Sequence, residues 1–306
     1  MWFKNLQPYR ITDPTKIDLA NLDAELKKRS FVPAGTTDRM VAGWIPPAPH
    51  TPDVFAYTQS GAALVALKTE EKLLPPSVVK EAADKRAAEI EAKELRKLGK
   101  KELKEIRERI AEELLPRAFS RSRVLRAVID PVGGWIWIDS SAPAKAEQLV
   151  QFLRETLGSL PTKRAETQLD PVTAMSTWLE HGAPPGYSLD DRVRLNVPGT
   201  GGGQVACSGL DLNADEVKSH LKTGKVVREL ALTWGDRIAF VLTEKLQLKR
   251  LQFLDLLQDQ IKQADAEDAA ALFDACLALQ ILEGRAYLAA VIEALGGELG
   301  QEKNHD

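Results

Sequence analysis

The chain has 306 residues, 44% of them hydrophobic and 28% charged, with a formal net charge of −3. That composition excludes the disordered, collagen-like and coiled-coil classes and fits a globular fold of one large or two to three small domains. Cys207 and Cys276 form no CxxC or Cys/His cluster, and His50, His181, His220 and His305 have no metal-ligand spacing. No metal, cofactor or disulfide framework is therefore expected. The start, Met1-Trp2-Phe3-Lys4-Asn5-Leu6, lacks the apolar run and cleavage site of a secretory signal. No later stretch reads as long and apolar enough to span a bilayer, so a cytoplasmic protein without a membrane partner is expected.

Trp2 to Ile11 mixes aromatic and branched residues as a strand does, and Lys16 to Arg29 has helical spacing through Ile17, Leu22 and Leu26. Gly43-Trp44-Ile45-Pro46-Pro47, followed by Pro49 and Pro52, reads as a fixed irregular loop, and strand character returns from Ala62 to Lys68. Ser77 is a candidate N-cap for a helix running to Leu98 that is rich in Ala, Glu, Lys and Arg. After Gly99, a second helix from Lys101 to Leu115 carries Leu103, Ile106, Ile110 and Leu114 on one stripe. Together they read as a helical finger, with Arg86, Lys93, Lys97, Lys100, Lys104 and Arg107 left on its outer faces.

Arg123 to Asp130 and Gly134 to Asp139 read as two strands around a Pro-Val-Gly turn, followed by helices over Lys145 to Leu157 and Pro171 to Glu180. The glycine-rich stretch Pro198 to Gly203 reads as a hairpin loop, and Asn213 as the cap of a short helix to Lys222. Three strands follow, near Val226 to Thr233, Arg237 to Leu242 and Leu248 to Phe253, before a helical, acidic end. The class is α+β. Gly134 to Leu157 and Gly235 to Leu257 both read as a strand, a short link and a helix, an echo that either two related subdomains or chance would produce. The expected division is residues 1–75 with 116–165, the finger over 76–115, and 166–306.

Leu251 to Asp306 holds eleven Asp or Glu against three Lys or Arg, which leaves residues 1–250 at +5. Nucleic-acid binding on one surface and ordinary solvated charge both fit that split. Leu114 to Arg123 concentrates Arg117, Arg121 and Arg123 around Phe119, with Arg126 just beyond. Guanidinium forks suit phosphate, whereas salt bridges to Glu112 and Glu113 are the structural alternative. Phe119 suits an interface anchor, a wedge between bases or core packing. Lys218, Lys222, Lys225 and Arg228 form a second cluster, partly explained by cations favoured at a helix C-terminus. Pro52-Asp53 with Glu70-Glu71-Lys72 mimics the order of a metal-dependent nuclease, although Asp53 sits among prolines rather than on a strand. Without base-reading motifs, the pattern points to phosphate-dominated, salt-sensitive binding.

Met1-Trp2-Phe3-Lys4-Asn5-Leu6, Gly43-Trp44-Ile45-Pro46-Pro47, Glu70-Glu71-Lys72-Leu73-Leu74-Pro75, Leu114-Leu115-Pro116-Arg117-Ala118-Phe119-Ser120-Arg121, Leu157-Gly158-Ser159-Leu160-Pro161 and Gly224-Lys225-Val226-Val227 occur in this order. Over residues 1 to about 297 the chain thereby resembles the RdgC family of recombination-associated proteins. The resemblance implies a ring-shaped homodimer around a basic hole, each subunit built from two related subdomains and the finger. It also implies nonspecific binding of double- and single-stranded DNA, nucleoid association and antagonism of RecA, without enzymatic activity. Lys72, Arg117, Arg121, Arg123, Lys218, Lys222, Lys225 and Arg228 are then the expected DNA contacts, with Phe119 at the dimer interface. Direct inhibition of the recombinase through the finger is the alternative. Gln204 to Gly209 departs from the more basic family pattern, which puts in doubt any DNA contact or ring closure assigned to that loop.

Overall fold

The structure is a computed structural model that describes residues 2–199, 202–254, 257 and 268–300. In chain order its elements are β1 (Asn5–Ile11), α1 (Leu19–Lys28), β2 (Met40–Ile45), β3 (Tyr57–Gln59), β4 (Ala62–Leu73), α2 (Pro76–Glu94) and α3 (Lys100–Leu114). There follow β5 (Phe119–Asp130), β6 (Trp135–Ile138), α4 (Pro143–Leu157), β7 (Thr162–Arg164), α5 (Pro171–His181), β8 (Tyr187–Asn196) and β9 (Gln204–Ser208). The last elements are α6 (Asp215–Lys222), β10 (Val226–Trp234), β11 (Ile238–Thr243), β12 (Leu248–Phe253) and α7 (Ala269–Ala294). The fold is α+β with a large antiparallel sheet. It divides into two compact units: Met1–Glu25, Pro46–Val65 and Arg126–Asp306 form the first, Leu26–Ile45 and Ala66–Leu125 the second. The chain crosses between them four times, within α1, at the end of β2, and within β4 and β5.

The first unit is the hydrophobic body. Its sheet runs β6-β1-β12-β11-β10-β8-β9, with β7 also on β1. β11, Ile-Ala-Phe-Val-Leu-Thr, is buried along its whole length, as a central strand must be. One cluster joins Phe3, Leu6, Trp137, Phe240, Leu248 and the inward residues of α7, including Leu277, Ile281 and Leu288. Helix and sheet approach so closely that a Cβ on Gly284 would lie 2.5 Å from the Trp137 ring. Buried Asp130 receives two guanidinium bonds from Arg285, at 2.9 and 2.7 Å, and thereby ties α7 to the end of β5. Removing either partner of such a pair costs about 3–5 kcal/mol.

Two expectations fail in this unit. By length and composition α7 could cross a bilayer, and more than half of its apolar window is buried in the protein. Its exposed side was too short of charge to mark it from sequence as a core helix. Over Gly235 to Leu257 the echo holds two strands, β11 and the expected β12, and the helix that would complete it falls largely outside the described residues. Asn213 lies one residue before the cap of α6, which is Ala214, and instead binds the Asp211 carboxylate through its backbone.

In the second unit β2 pairs antiparallel with the outer part of β4, from Met40 opposite Glu71 to Ile45 opposite Ala66. Gly43-Trp44-Ile45 therefore belongs to a strand and not to the expected loop. Gly43 is there because the backbone of Phe31 passes over it: a Cβ would lie 2.3 Å from the Phe31 Cα. That pairing also carries β4 to Leu73, well beyond Lys68. α2 begins after Pro75 with no side-chain cap, so Ser77 does not cap it. The finger buries little: Ala83 and Ala87 on α2, Ile110 and Ala111 on α3.

Candidate nucleic-acid interface

The arginine-rich segment is extended chain and not a linker. β5 starts at Phe119, earlier than expected, and Phe119 to Val124 are all exposed. Strand periodicity sets Phe119, Arg121 and Arg123 on one face. Phe119 is 85% exposed, which removes the core-packing reading. Arg117 precedes them in a 3-10 turn, Leu115–Arg117, that Pro116 forces where α3 ends. Arg117 and Arg123 are exposed and have no ion-pair partner among the described residues. Arg121 differs, because its Nη2 donates to Glu71 Oε2 of β4 at 3.1 Å, with both side chains nearly half exposed. The alternative partners for these arginines, Glu112 and Glu113, are not used; Glu113 lies 3.9 Å from Arg86 in the finger.

Lys72 is half-buried near the end of β4, where its backbone N–H donates to the Arg39 carbonyl at 2.9 Å. Linear reading passed over Arg39, which only the pairing of β2 with β4 brings to this end of the unit.

The shaft of the finger is largely self-neutralised. Arg96 binds both Glu94 and Glu102, Lys97 binds Glu91 at 2.8 Å, and Arg107 and Lys104 face Asp84 and Glu108 at longer range. The Arg96 guanidinium, with the Gly99 N–H, holds the Glu102 carboxyl down at about 2. The tip this builds presents Leu95, 91% exposed and in the left-handed region at φ 52°.

The second cluster belongs to the first unit. Lys218 and Lys222 lie on α6, with His220 and Lys222 in its last turn, where the helix dipole favours positive charge. Lys225 Nζ donates to Thr223 Oγ1 at 2.9 Å, and Arg228 is committed to Glu244 at 2.5 Å in a partly buried pair. Of the four, Arg228 is the least available to an outside phosphate. Gln204 to Ser208 forms β9 and pairs with β8 at the end of the sheet order.

A sequence profile described as "Putative exonuclease, RdgC" matches residues 1–298. The chain belongs to the RdgC family. Among its relatives, the recombination-associated protein RdgC of Laribacter hongkongensis is 45% identical over 298 residues, covering 97% of this chain and 99% of that one. The namesake from Dechloromonas aromatica is 42% identical over 307 residues, covering 99% and 100%, and that from Psychromonas ingrahamii is 40% identical over 299 residues, covering 97% and 99%. Within this RdgC-family chain, Asp53 lies in the loop between β2 and β3, and Glu70-Glu71-Lys72 near the end of β4. Among the described residues no group of three or more His, Cys, Asp or Glu is placed to hold a metal ion.

Proposed function

We propose that this recombination-associated protein binds double- and single-stranded DNA through phosphates, as a ring-shaped homodimer, and thereby limits access of RecA to DNA. The observation that carries this reading is the exposed start of β5 and the turn before it, where Arg117 and Arg123 have no carboxylate partner among the described residues and Phe119 is nearly bare. Unpaired guanidinium groups can take phosphate oxygens without first breaking an ion pair. Lys72, Lys218, Lys222 and Lys225 are further donors, Arg121 and Arg228 contribute less, and Phe119 anchors the dimer. In this reading the protein works in the cytoplasm on the nucleoid and is not an enzyme. Magnesium-dependent nicking lost in Glu70→Ala would overturn that last part.

A second reading, direct contact with the recombinase through the finger, draws support from the bare Leu95 at the tip. Strand-exchange assays separate the two. Competition for DNA predicts inhibition that follows DNA concentration and fades as salt rises. Direct contact predicts inhibition that follows recombinase concentration and disappears in Leu95→Ala.

A further inference from the structure

At the root of the finger the second unit forms an open pocket of about 600 Å³, a size that holds small ligands. Four cations from separate elements line it: Arg39 just before β2, Lys72 of β4, Lys80 of α2 and Arg107 of α3. Met40 and Leu115 add apolar wall. Many arginines of this chain are held in ion pairs, among them Arg10, Arg96, Arg164, Arg194, Arg237 and Arg285. Here Arg39, Lys72 and Lys80 have no carboxylate partner among the described residues, and Arg107 comes no closer than 3.9 Å to Asp84. The acid on the wall, Glu71, is engaged by Arg121. Converging like charges in a concave site raise the local positive potential and draw in an anion.

We infer that this pocket binds a nucleotide carrying a terminal phosphate monoester. The interior of a duplex presents singly charged diesters on a convex backbone, which can touch the rim of a concavity without filling it. A monoester carries roughly −1.5 to −2 charge at pH 7 and three acceptor oxygens. Two arginine forks and two lysines match that group, and the forks fix its orientation. The thioether of Met40 and the side chain of Leu115 offer the sugar and base a soft apolar surface. The uncapped start of α2, whose Pro76 lies on the same wall, adds to the positive field.

The inference deepens the proposed function and rests on it for one source of the ligand, the 5′ end of a DNA strand; a free nucleotide has the same chemistry. The test uses the full-length protein, with fluorescent oligonucleotides that differ only in a 5′-phosphate or 5′-hydroxyl, and a covalently closed circular duplex. Wild type is expected to bind the phosphorylated end about tenfold more tightly. The double variant Arg39→Ala/Lys80→Ala, altered at two exposed positions, should lose that preference and hold the circle as wild type does. Adenosine 5′-monophosphate identifies the source. Displacement of the phosphorylated probe assigns the pocket to free nucleotides, and an end preference that resists it assigns the pocket to strand ends. Equal binding of both oligonucleotides by wild type with no effect of the nucleotide overturns the inference, as does an end preference that survives the double variant. Failure of wild type to bind the circle and both oligonucleotides would instead overturn the proposed function.

Discussion

The two basic clusters look alike in sequence and differ in what their charges already do. At the finger base, Arg117 and Arg123 stand exposed on a turn and on β5, and among the described residues only Arg121 of the three has an ion-pair partner. In the Lys218 to Arg228 cluster, Arg228 is held by Glu244, Lys225 by Thr223, and Lys222 sits where a helix terminus favours a cation. Positive residues count toward a polyanion only so far as the fold leaves them unspent. A charge tally along the chain cannot make that distinction; the pairing of side chains does.

The strongest way to break this comparison is Arg117→Ala/Arg121→Ala/Arg123→Ala. Duplex affinity should fall roughly 10- to 100-fold at moderate salt, and the slope of log affinity against log salt should flatten by about two. Fluorescence anisotropy across a salt series checks both, and unchanged binding would make the cluster structural. Next in size, Arg228→Met should lower unfolding stability by about 1 kcal/mol, discounted for partial exposure, and leave DNA affinity within about twofold. Denaturant melts and the same anisotropy assay read these, and a large affinity loss would erase the contrast between clusters. Smaller still, Glu71→Gln frees Arg121, and duplex binding should tighten by about two- to threefold at low salt.

The smallest effect concerns the finger tip. Glu102 is held at about 2, below its ordinary value, so its charged form favours the folded tip. That contribution is fully present above the ordinary carboxylate range and is lost as pH falls through about 2. A carboxyl-carbon NMR titration should therefore place the Glu102 midpoint near 2, and a midpoint near 4 would mean that the Arg96 lock is not formed in solution.

Much of the fold was legible because its periodicities are strong. The expected strands over Val226 to Thr233, Arg237 to Leu242 and Leu248 to Phe253 fall on β10, β11 and β12, and α3 ends where Pro116 suggests, whereas α2 stops at Glu94, short of the expected Leu98, and Gly99 caps the start of α3. β2 was not legible, because Pro46 and Pro47 follow it directly and Gly43 reads as a breaker. Its glycine answers a close approach by Phe31, which no local pattern encodes. The start of β5 was hidden for another reason: alternating arginine and serine looks like solvated loop, and the ladder that makes it a strand is tertiary. In the candidate site the arginines stood out by type, whereas the Glu71 partner of Arg121 and the presence of Arg39 beside Lys72 depend on strand register.

β1 carries a kinetic consequence. It pairs with β6 along Gln7 to Arg10, but its first residues wait for β12, with Asn5 opposite Lys249. On a ribosome the second partner arrives roughly 5 to 20 s after the first at ordinary elongation rates. The finger, by contrast, is a local hairpin that closes as soon as α3 emerges. During that interval the nascent body has an unfilled strand edge, a template for the wrong chain. Yield during synthesis is thus set by the last third of the sequence, whereas the helical hairpin is already in place.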